Sequence, residues 1–531
     1  MAAALHRAEL PFGSLAAIVL PVGGSLKFAP LWQHQGDRAM VPASTMKLVT
    51  SMVALDRLGP NLRGHTELWT AAPLLPGNDA GADGGILQGD LILRGGADVQ
   101  LGLPQLWALM AELRFQGIRE IAGDIVLDRQ LFRPARPDIG LPPFDEAPEF
   151  AYNMVPDALQ LAGNLMGLEI RSDGQRVQAR ALPPLPGLVV DASAMTLNDR
   201  PCHQWGKDWV GPPLVQDDGQ GTLTVLLRGA YPRHCEQRPQ LSLIDRNALA
   251  ERHLRWVWQS LGGVWAGRVR EAQQALLPAA APLPAPLARL QPPRLLAAAI
   301  GTQAADVAAT TPAESPATAS ASTVGTTTGP RRLARHEAAP WGELLRTLNK
   351  QSDNAYTRVL YLLLGVNAMA QQPDKSTAQL ADLAVRQWLA EQRIAAPGLV
   401  LDNGSGLSRS ERITPRTLAL ALRAAHASRW GAELVMSLPL AGVDGSMRNR
   451  LGDSPAGGWA RLKTGTLRDS TALAGYVPDD RGRWWVVTAM VNHERASAGR
   501  PALDALVDWV ARGGMAQSGR LMPGWPGADS P

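Results

Sequence analysis

The spacing of apolar residues along the chain predicts where helices and strands form. Between residues 42 and 58 apolar side chains recur every three or four positions, which predicts a helix that the Gly-Pro pair at 59–60 ends. Residues 14–22 are almost continuously apolar. That stretch fits either the apolar core of a short export signal or a β-strand before a Gly-Gly turn, and the pattern alone leaves both open.

Between about residues 66 and 290, helical and strand patterns alternate. A helix is predicted from Pro104 to Phe115, closed by Gly117. The segments GDLILRGGADV and IREIAGDIVLD each predict one strand. Residues 303–330 are mainly Ala, Thr, Ser and Pro, which cannot bury enough apolar surface to fold, so we predict a disordered insertion. The Gly- and Pro-rich tail is also predicted to be disordered.

The carboxyl-terminal part changes from a helical to a strand pattern. Helices are predicted at about 339–350 and 355–364, with a polar break between them. Another helix opens at Thr414, which precedes a proline suited to a first helical position. From residue 459 strands are predicted, and a final helix follows at about 501–511. The strand-forming segments are WARLKTGTL, TALAGYVPD and RWWVVTAMVNH.

The composition is that of a large folded protein. The chain has 531 residues and 45% hydrophobic content, enough for two to four domains. Its net charge of +4 is spread without a Lys/Arg block, so we predict no nucleic-acid partner. The sequence has no run of 18 apolar residues, so we expect membrane contact to be peripheral at most. Metal-binding and nucleotide-binding motifs are absent from the sequence, and we predict neither a metal nor another cofactor.

Lysine is rare in this chain, which draws attention to the few lysines present. Only six of the 52 basic residues are lysines, and the others are arginines. Arginine is effectively never deprotonated and cannot accept a proton, whereas a lysine with a lowered pKa can. Lys47 and Lys463 both fall within short motifs of chemical interest.

The two cysteines, Cys202 and Cys235, lack the spacing of a zinc site. From the residues alone, a pair of buried thiols and a single disulfide fit them equally well. An exported location would favour the disulfide.

Three short motifs follow one another along the chain: Ser44-Thr45-Met46-Lys47, Ser352-Asp353-Asn354 and Lys463-Thr464-Gly465. A single Ser-x-x-Lys is more often just the start of a helix. Here the first motif opens a predicted helix, the second lies between two helices, and the third lies on a predicted strand. This combination, in this order, is typical of serine β-lactamases and penicillin-binding proteins.

The first motif predicts a nucleophile and its base. Serine is a weak nucleophile until a neighbouring base takes its proton, and helix positions three apart share one face. We therefore predict that Lys47 is the base for Ser44, with a pKa lowered by burial and by the second cation, Lys463. The backbone N–H groups of Ser44 and Thr466 are predicted to stabilise the oxyanion.

The other motifs predict contacts with the leaving group and the substrate. Ser352 is expected to relay a proton to the leaving amine, and Asn354 to hold the substrate's amide. The strand of the third motif is suited to pairing with an extended peptide. The residues predicted to bind a terminal carboxylate, through one fixed positive charge and two hydroxyls, are Lys463, Thr464, Gly465 and Thr466.

Longer segments resemble the low-molecular-mass class C penicillin-binding proteins, the D-alanyl-D-alanine carboxypeptidase/endopeptidases of peptidase family S13. The matching segments are PASTMKLVTSMVALDRLGP, GDLILRGGAD, LNKQSDNAYTRVL, LDNGSGLSRSERITP, LPLAGVDGSMRNRL and ARLKTGTLRDSTALAGYV. The resemblance covers most of residues 8–512 and fades within 270–335. It implies a strand before the Ser-x-x-Lys helix, which favours the strand interpretation of residues 14–22.

The resemblance implies an α+β fold, in which a β-lactamase/transpeptidase-like domain is split by two nested accessory domains. That domain is an antiparallel sheet flanked by helices. The long interval between residues 47 and 352 agrees, because a compact serine β-lactamase needs no such insertion. The predicted segments are 1–65 and 291–531 for domain I, 66–93 and 166–290 for domain II, and 94–165 for domain III.

The resemblance also implies a serine DD-peptidase that cleaves D-Ala-D-Ala termini or D-Ala–meso-diaminopimelate crosslinks through an acyl-enzyme. Peptidoglycan stem peptides are then the substrates and β-lactams the covalent inhibitors. Arg409 matches a family arginine near the substrate side-chain pocket, and Asp145 falls where the family can place an acid facing the substrate's free amine. We expect a periplasmic protein, a truncated or misassigned start because no export signal is evident, and a homodimer among its assemblies.

Two alternatives use the same fold. A β-lactamase or esterase would turn over nitrocefin rapidly without cleaving muropeptides. A non-catalytic wall-binding protein would keep its binding to sacculi after Ser44→Ala and form no product, and the intact motifs argue against it.

Overall fold

A five-stranded antiparallel sheet brings the two ends of the chain together in the computed structural model. The strand Leu15–Pro21 pairs with Trp484–Asn492, which confirms the strand interpretation of residues 14–22. Every neighbouring pair in this sheet is antiparallel. In order across the sheet, the strands are Trp32–His34, Leu15–Pro21, Trp484–Asn492, Ser470–Pro478 and Arg461–Leu467.

The structure describes residues 1–24, 32–76, 84–140, 147–274, 276–278, 282–283 and 329–516. Three sequence predictions therefore fall wholly or largely outside the described residues: Asp145, the 303–330 insertion and the Gly- and Pro-rich tail.

Alternate side chains of the central strands belong to two separate cores, one on each face of the sheet. On Leu15–Pro21, Ile18 shares a core with the Lys47–Leu58 helix, and Val19 shares the other with the Arg500–Ala511 helix. A strand that is buried on both faces is apolar at nearly every position. This explains why the same stretch also resembles a signal-peptide core.

The predicted helices form, with ends that shift by a few residues. Thr414 caps its helix as expected, because its hydroxyl accepts a hydrogen bond from the Thr417 N–H at 3.0 Å. The Ser-x-x-Lys segment differs from the prediction, since Ala43–Met46 is a 3₁₀ turn and the α-helix begins at Lys47. Within the described residues the α-helices are Ala2–Arg7, Lys47–Leu58, Leu103–Phe115, Arg246–Ser260, Trp341–Lys350, Asn354–Val366, Thr377–Glu391, Pro415–His426, Gly431–Ser437 and Arg500–Ala511.

A second five-stranded sheet and several smaller sheets are built mainly from the interval between the first two motifs. The second sheet contains, in order, Val269–Glu271, Ile125–Asp128, Leu91–Gly96, Arg63–Thr70 and Arg331–Pro340. The other strands are Leu74–Leu75, Gly85–Leu87, Ile118–Ile121, Val264–Trp265, Met166–Ser172, Val177–Ala181, Glu236–Gln237, Gln240–Leu241, Leu188–Asp191, Leu214–Asp217, Leu223–Leu226, Met195–Asn198 and Gly229–Pro232. The α+β class is confirmed.

One strand prediction needs correction, and one strand was not predicted. The segment IREIAGDIVLD forms two strands in different sheets, because the chain turns at Gly123 between them. The sequence pattern also gives no sign of the strand Arg331–Pro340, in which alanine, a poor strand former, is frequent. Its pairing with Arg63–Thr70 stabilises it, and that long-range pairing is invisible to local propensity.

The division into three domains stays a prediction. The predicted boundary at 65/66 falls inside the strand Arg63–Thr70, and the boundary at 93/94 falls inside Leu91–Gly96. Cys202 and Cys235 form a disulfide, which decides between the alternatives that the sequence left open. In the part of the chain that the structure describes, none of the helices combines the length and the apolar character needed to cross a bilayer.

Candidate active site

Ser44 lies in the 3₁₀ turn Ala43–Met46, directly before the helix that starts at Lys47. The Lys47 Nζ donates a hydrogen bond to Ser44 Oγ over 3.0 Å. Thr45 holds the turn, since its hydroxyl donates to the Pro42 carbonyl at 2.7 Å. The first motif therefore brings a candidate nucleophile and a candidate base into direct contact.

The Lys47 side chain is fully buried and donates to three acceptors. Besides the Ser44 hydroxyl, these are Asn354 Oδ1 at 2.6 Å and the Ser405 carbonyl at 2.5 Å. Burial lowers the pKa of Lys47 from 10.5 to about 7, and the charge of Glu411 opposes this shift. A substantial fraction of Lys47 is therefore neutral near neutral pH, as a general base requires.

Ser352 lies between the helices that end at Lys350 and begin at Asn354. Its backbone is left-handed (φ 61°), a conformation that is costly for serine. Asp353 caps the second helix by accepting a hydrogen bond from a backbone N–H at 2.8 Å. Lys463 Nζ donates to Ser352 Oγ at 2.9 Å, so the serine of the second motif contacts the lysine of the third.

Asn354 links Lys47 to a segment far away in the sequence. Its Oδ1 accepts from Lys47, and its Nδ2 donates to the carbonyl of Tyr152 at 2.9 Å. The sequence predicts that this amide holds the substrate, whereas here both of its ends have protein partners. Because Nδ2 carries a second hydrogen, the contact with substrate stays a prediction.

Lys463 is fully buried and differs electrostatically from the expectation. Burial, and to a smaller extent the charge of Lys47, lowers the pKa of Lys463 well below its usual value. The sequence assigns Lys463 a fixed positive charge, whereas this environment favours the neutral amine in the ligand-free protein. Burial is the main cause of the lowered Lys47 pKa, as predicted, whereas the cation that lowers it further is Arg358 and not Lys463.

Gly465 allows the strand Arg461–Leu467 to lie against the nucleophile turn. A Cβ at this position would be 2.7 Å from the Pro42 carbonyl oxygen and 2.9 Å from the Ser44 nitrogen. Any larger residue would therefore push the strand and the turn apart. The strand is the outermost of its sheet, which is the position where an extended peptide can add.

A cavity of about 470 Å³ opens in front of Ser44. Its lining includes the predicted site residues Ser44, Ser352, Asn354, Arg409 and Thr466. The other lining residues are Ala147, Tyr152, Leu407, Leu467 and Arg468. Thr464 is not among these lining residues, and its hydroxyl donates a hydrogen bond to Ser446 Oγ at 2.7 Å.

Volume alone does not identify the site. Cavities of about 580 Å³ and 1050 Å³ elsewhere contain none of the motif residues. The cavity of about 470 Å³ is instead lined by Ser44 and Ser352, which accept hydrogen bonds from Lys47 and Lys463. Within the described ranges no cluster of His, Cys, Asp or Glu is arranged to hold a metal ion.

Three residues of the site carry no motif that would reveal them. Ser405 acts through its carbonyl, a group that every residue type has. Tyr152 reaches Asn354 across 202 positions of sequence, which no local spacing signals. Arg468 follows the end of the strand Arg461–Leu467, so the strand pattern does not place it either.

Three features define the β-lactamase and penicillin-binding class of serine enzymes. They are a serine paired with a lysine before a helix, a second serine between helices, and a second lysine on an outer strand. The model of the D-Ala-D-Ala carboxypeptidase 3 (S13) family matches residues 2–293 and 314–513. The chain therefore belongs to this family and is a serine-type DD-peptidase. The family predicted from the motifs is confirmed.

Known relatives are similar over most of the chain. A D-alanyl-D-alanine carboxypeptidase of Actinomadura sp. (strain R39) is 27% identical over 488 residues, which cover 91% of this chain and 78% of the relative. D-alanyl-D-alanine carboxypeptidase DacB of Haemophilus influenzae is 25% identical and aligns over 86% of this chain and 82% of its own length. The crystal structure of penicillin binding protein 4 (dacB) from Haemophilus influenzae matches with a TM-score of 0.64 at 23% identity, covering 90% of both chains. This structural similarity supports the fold.

Proposed function

We propose that Ser44 is the nucleophile with which this DD-peptidase opens D-Ala-D-Ala termini and D-Ala–meso-diaminopimelate crosslinks of peptidoglycan. The observation that carries the proposal is the 3.0 Å contact between Lys47 Nζ and Ser44 Oγ, with Lys47 fully buried. The names of the family and of the Actinomadura relative support the substrate class.

Acylation starts when neutral Lys47 takes the hydroxyl proton of Ser44. The Ser44 oxygen then attacks the carbonyl carbon of the scissile amide, and negative charge develops on the carbonyl oxygen. The backbone N–H groups of Ser44 and Thr466 are the proposed donors to that oxygen. The tight approach of Gly465 to the Ser44 nitrogen supports this pairing of turn and strand.

The leaving amine needs a proton before it can depart. Lys47, protonated in the first step, is the source, and Ser352 is the proposed relay that donates one proton and receives another. Lys463 orients this serine through the 2.9 Å hydrogen bond to its Oγ. Departure of the amine leaves an ester between the substrate's acyl group and Ser44.

Water completes the reaction. Neutral Lys47 accepts a proton from the attacking water, the ester bond breaks, and the Ser44 oxygen recovers a proton. The products are the shortened peptide carboxylate and the free enzyme.

The substrate's terminal carboxylate is proposed to meet the hydroxyls of Thr464 and Thr466 beside Lys463. An approaching carboxylate favours the charged form of a buried lysine, so Lys463 would gain its charge with the substrate bound. Arg409 lines the cavity and is proposed to contact the substrate's side chain. Asp145, which lies outside the described residues, stays the proposed acid that faces the substrate's free amine.

β-Lactams are proposed to acylate Ser44, because their strained amide imitates the terminal dipeptide. A solved structure of penicillin binding protein 4 from Haemophilus influenzae, 22% identical to this chain, holds a novel β-lactam. We also propose that the protein is periplasmic, where peptidoglycan is accessible. We propose peripheral membrane contact at most, and a homodimer.

Labelling and digestion together test this function. The purified chain should be labelled by fluorescent penicillin, with the adduct on the Ser44 peptide by mass spectrometry. Purified sacculi should release D-Ala or lose crosslinked dimers. Ser44→Ala should abolish both activities. A wild-type chain that is not labelled, or equal labelling of Ser44→Ala, would contradict the proposal.

The same preparation separates the alternatives. Rapid nitrocefin turnover with unchanged muropeptides would indicate a β-lactamase or esterase. Binding to sacculi that survives Ser44→Ala, with no product from either protein, would indicate a wall-binding role.

A further inference from the structure

The loop of residues 402–407 forms one side of the Lys47 environment. Ser405 presents its carbonyl to Lys47 Nζ at 2.5 Å. Gly406 lies so close to the nucleophile turn that a Cβ there would be 1.7 Å from the Ala43 carbonyl oxygen. The position of this loop therefore determines both the Lys47 contact and the space beside the nucleophile.

A buried carboxylate, Glu411, anchors this loop. Its Oε1 accepts hydrogen bonds from three successive backbone N–H groups, those of Asp402, Asn403 and Gly404, at 3.2, 3.1 and 2.8 Å. Thr50 adds a second anchor, because its hydroxyl donates to the Gly404 carbonyl at 2.7 Å. Glu411 Oε2, by contrast, has no hydrogen-bond partner among the described residues. Such burial is costly, and none of the proposed catalytic steps uses this carboxylate.

The charges around Glu411 connect it to the base. The charge of Glu411 favours the protonated form of Lys47 and is the largest influence opposing the effect of burial on the Lys47 pKa. Burial raises the pKa of Glu411 above its usual value, and the backbone hydrogen bonds offset only part of this rise. The other titratable or charged groups that act on Glu411 or Lys47 are Asp353, Arg358, Tyr361, Asp402 and Lys463.

We propose that Glu411 is a positioning residue for this reaction, which holds the 402–407 loop against Lys47 and supplies the negative charge that balances the Lys47 ammonium. The inference rests on the proposed role of Lys47 as the base for Ser44. Glu411 does not touch the substrate. Its effect is to keep Lys47 able both to accept a proton and to return it near neutral pH.

The protonation of Lys47 can be followed without any enzyme activity, because the chain has only six lysines. Labelling lysine with ¹³C at Cε gives a small set of NMR signals, and Lys47→Met assigns the one from Lys47. The wild-type midpoint is expected at about 7. Glu411→Gln keeps an acceptor oxygen for the loop but removes the charge, and it should lower this midpoint by about one pH unit. An unchanged midpoint would overturn the assigned role of the charge.

Acylation by fluorescent penicillin tests the positioning of the loop. Glu411→Asp keeps the charge, but its shorter side chain cannot reach all three N–H groups. We expect acylation to fall by about 100-fold at every pH, because the base and nucleophile lose their alignment. Wild-type acylation by Glu411→Asp would overturn the positioning role, and this variant decides the matter if Glu411→Gln fails to fold.

Asp479→Asn is the matched control. Asp479 is also a buried carboxylate that accepts backbone N–H hydrogen bonds, from Arg481 and Arg483 at 3.0 and 2.9 Å. It follows the end of Ser470–Pro478 that is remote from Thr471, the pairing partner of Thr466. The variant should lower the melting temperature and leave the Lys47 midpoint and acylation unchanged. A midpoint shift equal to that of Glu411→Gln would overturn the specific role of Glu411.

The two proposals fail in different ways. If wild-type protein is not labelled by penicillin, the assignment of Ser44 falls, while the NMR midpoints still test the link between Glu411 and Lys47. If labelling depends on Ser44 but Glu411→Gln and Glu411→Asp behave like wild type, the assignment of Glu411 falls alone.

Discussion

Lys47 and Lys463 are equally buried, yet the two sides of the site on which they lie act differently on their pKa values. Lys47 belongs to the side formed by its helix and the 402–407 loop, where Glu411 and Asp353 oppose the effect of burial and its pKa is about 7. Lys463 belongs to the strand Arg461–Leu467, where burial and Lys47 both lower its pKa.

The difference separates two tasks that the motifs alone assign to similar residues. A lysine that titrates near neutral pH can take and return a proton, which suits the base. A lysine that stays neutral until a carboxylate arrives can orient Ser352 and then bind the substrate's charge. Nearby carboxylates, more than depth of burial, distinguish the two.

The largest expected effect comes from Lys47→Met. Without its base, Ser44 should be acylated about 1000-fold more slowly by fluorescent penicillin, measured in a quenched time course. Lys375→Met, which removes an exposed lysine, should react like wild type. Near wild-type acylation of Lys47→Met would mean that another group activates Ser44.

A smaller effect is expected from Lys463→Met, and it should depend on the substrate. Hydrolysis of a D-Ala-D-Ala peptide should fall by about 100-fold, because Ser352 loses its orienting hydrogen bond and the carboxylate loses its partner. Acylation by penicillin should fall less, since its leaving nitrogen stays tethered after ring opening. The kinetics of both substrates on one preparation give the comparison. Equal losses, as large as those of Lys47→Met, would contradict the division of tasks.

The smallest effect on activity is expected from removing the disulfide, which lies outside both sides of the site. Cys202→Ser with Cys235→Ser should lower the free energy of unfolding by about 2–4 kcal/mol, because the unfolded chain gains freedom. Denaturant titration measures this loss, and penicillin acylation in buffer should not change. A parallel loss of acylation would show that this region controls the site.

Local spacing was enough to identify the three motifs and to predict most of the helices around them. Ser44 and Lys47 are three positions apart, and Thr414 with its following proline signals a helix start, so short-range chemistry determines both. The strand Arg331–Pro340 could not be predicted this way, because its stability comes from pairing with a strand distant in sequence.

The electrostatics of the site were harder to predict than the identity of the residues that form it. Burial lowers the pKa of Lys463 well below its usual value, and only the packed structure shows the extent of that burial. Glu411 belongs to no catalytic motif. Its proposed role depends on the backbone N–H groups of a loop folded around it, which the sequence does not reveal. Tyr152 likewise enters the site through a carbonyl.

The pH dependence of Ser44 acylation tests the central claim most directly. Lys47 must be neutral to accept the proton, and it is neutral above its pKa, so the second-order rate of penicillin acylation should rise with pH. We predict a midpoint at about 7 and a plateau above it. A rate that stays constant from about pH 5 to pH 9 while the protein remains folded would contradict the claim that Lys47 is the base.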